Sequence, residues 1–258
     1  MKLIVTNTQH MTEWDTDLEV FLTESGLPFV PRNRLSLERL NAAQQVDGII
    51  VWEASGPVLY VKDEKFFFHP NMAKNRIAFF RNLQTPDIMI HASQLERGDS
   101  FLDCTLGLGA DSIVASYFSG TGRITGLEHQ PAIAHVIRWG MRRYRTQMPW
   151  LQEAIQRIEV IAADHREYLP GLDDQSYDIV YFDPMFQKPL LKSRPISPLR
   201  QLADHAPLEL AAIKEACRVA RKRVVMKDLA SGEELERLGF EKIRRSKYNK
   251  LAYGVIIV

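Results

Sequence analysis

The residues of this sequence whose types and spacing could do chemistry begin in one stretch, Phe101-Leu102-Asp103-Cys104-Thr105-Leu106-Gly107-Leu108-Gly109-Ala110-Asp111. An apolar lead-in reaches an acidic residue, and two glycines follow one residue apart. Asp111-Ser112-Ile113-Val114 then reads as a helix start, with its negative charge in the first turn, where the helix dipole favours it. Strand, tight turn and helix in this order form the first unit of a nucleotide-type cofactor pocket. Glycine lets a ligand lie against the backbone without meeting a Cβ. Short glycine pairs also mark ordinary turns, so context has to decide. A dinucleotide site would place a third glycine at position 112, where Ser112 stands, and there is no Gly-x-x-x-x-Gly-Lys-Ser/Thr phosphate loop. A ligand without a pyrophosphate fits better.

Two further carboxylates fall where such a ligand would need them. Glu128 closes the second strand, where a carboxylate can accept both hydroxyls of a ribose, and Asp164 follows the third, where an oxygen can accept from an adenine amine. Either one alone is equally a cap for the helix that follows. Their placement after successive strands favours the ligand, because in an open α/β sheet the ligand lies across the carboxyl ends of the strands.

Two motifs carry a resemblance. The pattern Asp103-x-Thr105-x-Gly107-x-Gly109 resembles motif I of the class I S-adenosylmethionine-dependent methyltransferases, and Tyr181-Phe182-Asp183-Pro184-Met185-Phe186 resembles motif IV of the amino-methyltransferases. The first implies S-adenosylmethionine as cofactor, held by Asp103, Thr105, Gly107, Gly109, Ala110 and Asp111, with Glu128 at the ribose and Asp164 at the adenine. His129, Ala163 and Asp183 would lie along the same surface. The second implies a catalytic set of Asp183, Pro184 and Phe186. In that family the acidic or amide side chain and a backbone carbonyl hold the exocyclic amine of the substrate, and two acceptors aim its lone pair at the methyl group. Phe186 would stack on the base, contributing ~1–3 kcal/mol. Met185 stands where the motif has its second proline.

Beyond this motif, Gln187–Arg200 carries Lys188, Lys192, Arg194 and Arg200 and no acid. A charge run is usually a solvated face, but beside a catalytic loop it is where a phosphate backbone would be held. Together with the two motifs this segment resembles the RsmJ-type (YhiQ) ribosomal RNA guanine-N2 methyltransferases, over about residues 99–200. The resemblance implies methyl transfer to guanine N2 of small-subunit ribosomal RNA, with Lys188, Lys192 and Arg194 contacting the RNA. The rival readings are a methyltransferase acting on another RNA base, a protein amide or a small molecule, and a non-catalytic cofactor-binding module associated with RNA.

The elements that must position these residues alternate from about residue 99 onward, the mark of a parallel sheet covered on both faces. Strands are expected at 101–103, 123–128, 158–164, 177–183 and 223–227, with helices at 131–144 and 208–220, a short helix at 232–238, and an antiparallel pair at 240–246 and 252–258. The expected fold is a Rossmann-like class I methyltransferase sheet over residues 86–258, with that C-terminal pair, preceded by a small N-terminal α/β unit over residues 1–85. In this unit Leu3-Ile4-Val5 reads as a strand and Gly48–Trp52 and Val58–Val61 as two strands joined by a turn. Phe66-Phe67-Phe68 reads as a buried strand end leading into a helix over Lys74–Leu83.

The chain has 258 residues, and 33 Lys and Arg against 32 Asp and Glu give a net charge of +1, so RNA contact must come from local clusters. Other basic groups are Arg138, Arg142, Arg143 and Arg145, with 138, 142 and 145 on one helical face by spacing, and Lys242, Arg244, Arg245, Lys247 and Lys250. Cys104 and Cys217 make neither a disulfide framework nor a zinc site, and Cys104 reads as a small filler rather than a nucleophile. No metal is expected. No stretch approaches a membrane span and no signal peptide is evident, so a cytoplasmic protein is expected.

Overall fold

The computed structural model describes residues 1–9, 15–62, 64–184, 206–245 and 251–258. The chain opens with β1 (Leu3–Asn7), α1 (Thr16–Ser25), α2 (Leu37–Gln44), β2 (Gly48–Glu53), β3 (Gly56–Val61) and β4 (Glu64–Phe66). These strands form a sheet in the order β1-β2-β3-β4. β1 and β2 run parallel, and the other pairs are antiparallel. Two helices follow, α3 (Asn71–Leu83) and α4 (Ile88–Ser93). Of the Phe66–Phe68 run, expected as a buried strand end, Phe66 ends β4 and is buried with Phe68 while Phe67 is exposed, and α3 begins three residues after the run.

The remainder is β5 (Phe101–Asp103), α5 (Ala110–Ser119), β6 (Ile124–Glu128), α6 (Pro131–Arg143), α7 (Pro149–Gln156), β7 (Ile158–Ala162), α8 (His165–Tyr168), β8 (Tyr177–Phe182), α9 (Leu210–Val219), β9 (Ala220–Leu229), α10 (Glu233–Arg237), β10 (Glu241–Arg245) and β11 (Leu251–Ile257). They form a seven-stranded sheet ordered β10-β11-β9-β8-β5-β6-β7. The five strands β7, β6, β5, β8 and β9 are parallel, and β11 and β10 complete the sheet antiparallel. This is the Rossmann-like methyltransferase topology with its antiparallel C-terminal pair.

The apolar runs explain why the strands form where they do. Every residue of β8, Tyr177–Phe182, is buried, as a strand covered on both faces requires. Alternate side chains enter different cores: Phe101, Ile179 and Tyr181 join one cluster, while Leu102, Val180 and Phe182 join the other. Chain order reverses at β5, which lies between β6 and β8, so the crevice beyond the carboxyl ends of β5 and β8 is the switch point where ligands bind in such sheets.

The first core cluster runs continuously into the N-terminal sheet. Phe21, Trp52 and Leu59 pack with Trp139 of α6, and the Trp52 and Trp139 ring centroids are 5.5 Å apart in an edge-to-face arrangement. Gly140 of the same helix lets Phe68 approach, since a Cβ there would stand 2.3 Å from Cβ of Phe68. Arg143 fastens the same seam. Its guanidinium lies 3.1 Å from Asp15 and 2.7 Å from Asp17, donates to the Ala54 carbonyl, and lies 5.2 Å from the Trp52 ring centre.

The spacing of arginines 138, 142 and 145 predicts a single helical face, and the structure corrects it. α6 ends at Arg143, and Arg145 lies beyond the helix, donating to the carbonyls of Arg142 and Tyr144. Arg138 donates to the Val160 carbonyl and Arg142 sits 4.5 Å from the Trp139 ring centre. Helices α4, α7 and α8 were not anticipated: α4 has only six residues and α8 four, too short to show helical periodicity.

Candidate active site

The loop after β5 is built by its own side chains. Asp103 is buried, with one carboxylate oxygen accepting from the Thr105 amide at 3.0 Å and the other from the Ser112 hydroxyl at 2.7 Å. The turn closes where the Gly109 amide donates to the Leu106 carbonyl, with Gly107 at φ +50° and Gly109 at φ +74°. These left-handed conformations suit glycine. Gly109 is also closely approached: a Cβ would stand 2.4 Å from the Met141 methyl, the flexible end of that side chain, which would have to shift. At Gly107 the nearest atom to a would-be Cβ is the Thr105 carbonyl oxygen at 3.9 Å, so this backbone faces open space.

Glu128 ends β6 directly beside that open backbone. Its carboxylate accepts from the amides of Gly107 at 3.2 Å and Gln130 at 3.0 Å. Burial pushes its pKa up, and the two amide bonds oppose this. Asp164 caps α8 by accepting from the Arg166 amide, and it also pairs with the Arg166 guanidinium. Hydrogen bonding from Arg166 outweighs burial and brings Asp164 down to about 2. His129 Nδ1 lies 3.1 Å from the same carboxylate, and the Ala163 amide donates to the Glu128 carbonyl. Carboxylates therefore succeed one another across the sheet after β5, β6 and β7, next to a backbone free of side chains. That arrangement fits an adenosine-shaped group. Capping and ligand binding are compatible at Asp164, which does the first in the structure.

Asp183 follows β8 across the switch point from this cradle. Its amide donates to the Thr105 hydroxyl at 2.6 Å, which staples the loop after β8 to the loop after β5. Its Oδ2 accepts from Lys227 Nζ at 2.7 Å. Burial pushes the Asp183 pKa up, Lys227 pulls it back, and neighbouring Asp111 adds to the rise. Burial likewise raises Asp103, to about 7, against its bonds from Ser112 and Thr105.

Asp111, expected at the cofactor, is engaged from both sides by cations. One oxygen accepts from Arg76 and the other lies 3.4 Å from Lys227. Burial would raise this carboxyl, but Lys227 and Arg76 hold it far below the usual range. Arg76 reaches in from α3 and also grips both oxygens of Asp87, the N-cap of α4, at 2.9 Å each.

The sequence reading missed Lys227 and Arg76. The signal for Lys227 was present, since it follows the apolar run Val224-Val225-Met226 at the end of a parallel strand, the position that marks the acids. Phe182 pairs with Met226 in the sheet, so the next residues, Asp183 just beyond β8 and Lys227 still within β9, lie side by side. Arg76 stood in a basic segment with no local mark of its long-range partner. Pro184 follows Asp183, while Met185, Phe186, Lys188, Lys192, Arg194, Arg200, Lys247 and Lys250 lie outside the described residues. Among the described residues no group of three or more metal-ligating side chains gathers, and no helix is long and apolar enough to cross a membrane.

Comparison with known proteins supplies the chemical context. The family model SAM_MT, of SAM-dependent methyltransferases, matches residues 65–251. The chain is 40% identical over 235 residues to the uncharacterised protein YpiP of Bacillus subtilis (strain 168), covering 90% of each. It is 33% identical over 138 residues to ribosomal RNA small subunit methyltransferase J of Neisseria gonorrhoeae, which is 52% of this chain and 54% of that one. Among solved structures, a SAM-dependent methyltransferase from Neisseria gonorrhoeae superposes with a TM-score of 0.64 at 22% identity, covering 98% of this chain and 95% of that one. At that identity the likeness is one of fold.

Proposed function

The chain belongs to the SAM_MT family of S-adenosylmethionine-dependent methyltransferases, and from that premise we propose that its acceptor is an exocyclic amine, guanine N2 of small-subunit ribosomal RNA. The observation that carries this reading is Asp183. It is a carboxylate at the carboxyl end of β8, at the switch point, stapled by Thr105 to the cofactor loop. The likeness of about half the chain to methyltransferase J supports the RNA base as the acceptor.

S-adenosylmethionine supplies an electrophilic methyl group on a sulfonium, a good leaving group. Gly107 gives it open backbone, Gly109 turns the chain beside it, and Glu128 and Asp164 give it acceptors. Ala110, His129 and Ala163 lie along the same surface, and Asp103 and Thr105 hold the loop in shape. Asp183 accepts a hydrogen bond from the exocyclic amine, whose lone pair is otherwise delocalised into the ring, and a carbonyl at Pro184 is the second acceptor. Holding the amine this way aims its lone pair at the methyl carbon and stabilises the positive charge developing on nitrogen. The new N–C bond forms as the C–S bond breaks, and that electron pair stays on sulfur. The amine proton leaves to Asp183 or to water. A guanine that is paired must first be flipped from its stack, at a cost of a few kcal/mol. Phe186 is placed in this reading as the stacking partner of the base.

The RNA backbone is assigned to Lys188, Lys192 and Arg194. Neutralising Lys188 and Lys192 together is expected to weaken RNA binding and flatten its salt dependence with cofactor affinity unchanged. An unchanged salt slope would remove this segment from the interface. The reading as a whole is tested with small-subunit RNA from cells lacking the protein, using radiolabelled cofactor and then digestion to nucleosides. Label in N2-methylguanosine is the expected result. Label in another nucleoside, or in protein alone, would replace the acceptor, and no transfer to any fraction would favour a non-catalytic module.

A further inference from the structure

Five charged side chains form one line through the interior: Asp87, Arg76, Asp111, Lys227 and Asp183. They come from the cap of α4, from α3, from the first turn of α5, from the end of β9 and from the end of β8. Lys227 is buried to 13% side-chain exposure, with Nζ 2.7 Å from Asp183 Oδ2 and 3.4 Å from Asp111 Oδ2. Its preference in distance is for Asp183. Arg76 explains that preference, because its bond to the other oxygen of Asp111 already balances that carboxylate and leaves the lysine for the next one. Among the described residues no donor reaches Oδ1 of Asp183, so one oxygen is held by the protein and the other is left for a ligand.

This division of labour is what an amine acceptor needs. A carboxyl largely withdrawn from water and without a counter-charge takes up a proton more readily; its protonated oxygen is then a donor, and only a neutral, weaker acceptor is left for the substrate N–H. Resting on the assignment of Asp183 above, we propose that Lys227 is the positioning residue of the transfer site: it holds Asp183 as an anion with Oδ1 directed to the acceptor amine, and Arg76, acting through Asp111, holds Lys227. Lys227 touches neither reactant in this scheme. Burial alone would depress its pKa, but Asp111 and Asp183 more than reverse this and keep it charged.

The test uses the full-length chain with Lys227→Met, which removes donor and charge, and Lys227→Gln, which keeps a donor, each made in wild type and in Asp183→Asn. Single-turnover methyl transfer to RNA is read at saturating cofactor and RNA, alongside the dissociation constants of both. In wild type, Lys227→Met is expected to slow transfer by ~10–100-fold, with both dissociation constants within about twofold. Lys227→Gln should recover part of the loss. The acid limb of the rate–pH profile should move to higher pH, since among the described residues the groups facing Asp183 would then be Asp111, Asp103 and Tyr181 with only Arg76 as a cation. In the Asp183→Asn background, where no carboxylate remains at position 183, the same change should cost less than about threefold.

Equal losses in both backgrounds would mark Lys227 as a structural residue, and a fall in cofactor affinity that accounts for the rate would mark it as a cofactor ligand. Either result overturns the inference. If Lys227→Met does not fold, Lys227→Gln carries the same comparison. Should Asp183→Ala run at the wild-type rate, the assignment of Asp183 itself fails. A slow Asp183→Asn beside an unimpaired Lys227→Met defeats only the role given to the lysine.

Discussion

Asp103 shows how one residue serves the site by being buried. Its two oxygens organise the loop through Thr105 and Ser112, and burial raises its pKa to about 7 from the 3.8 of an exposed aspartate. The folded protein therefore binds a proton that the unfolded chain has released between these values, so this group's contribution to stability falls as pH rises from about 4 to about 7. Three units correspond to roughly 4 kcal/mol as an upper bound. Replacing Asp103 with Asn should flatten the stability–pH curve over that window, whatever it does to the absolute level. Denaturant titrations of both proteins at pH 5 and pH 7.5 read the difference, and parallel curves would contradict the assignment. The acid was visible in the sequence as part of motif I. Its inward orientation was not, because the partners that hold it come from the next loop and helix.

At the scale of the element, the parallel strands, helices α5, α6 and α9 and the glycine turn were legible because each has a local cause: an apolar run, a 3.6-residue period, a left-handed backbone. The Arg76–Asp111–Lys227–Asp183 line was not, since its links join residues 35, 116 and 44 positions apart in the chain. Gly107 is the element-level test of the cradle. A side chain there has room, but at φ +50° it costs roughly 1–2 kcal/mol in backbone strain. Gly107→Val should therefore fold and bind S-adenosylmethionine at least about tenfold more weakly. Calorimetry showing wild-type affinity in a folded variant would remove the glycine turn from the pocket.

The molecule as a whole has two sheets and one shared core across the seam at Trp52, Trp139 and Arg143. The sequence reading divides the chain near residue 85, whereas Arg76 on the earlier side of that line reaches the carboxylates of the later side. We propose that the N-terminal unit and the methyltransferase sheet unfold together. Arg143→Ala, which removes bonds to Asp15, Asp17 and Ala54, should cost about 2 kcal/mol and leave a single cooperative transition. Two separated transitions in the wild type would refute the coupling. Net charge of +1 was informative at this scale only by placing RNA contact in local clusters.

The most direct measurement is the rate of single-turnover methyl transfer by Asp183 variants at saturating cofactor and RNA. Asp183→Ala removes an acceptor whose bond strengthens as nitrogen becomes positive, so the loss should appear in the transfer step, by ~10²–10³-fold. Asp183→Asn keeps an acceptor oxygen and should retain partial activity. An Asp183→Ala enzyme transferring at the wild-type rate would contradict the account.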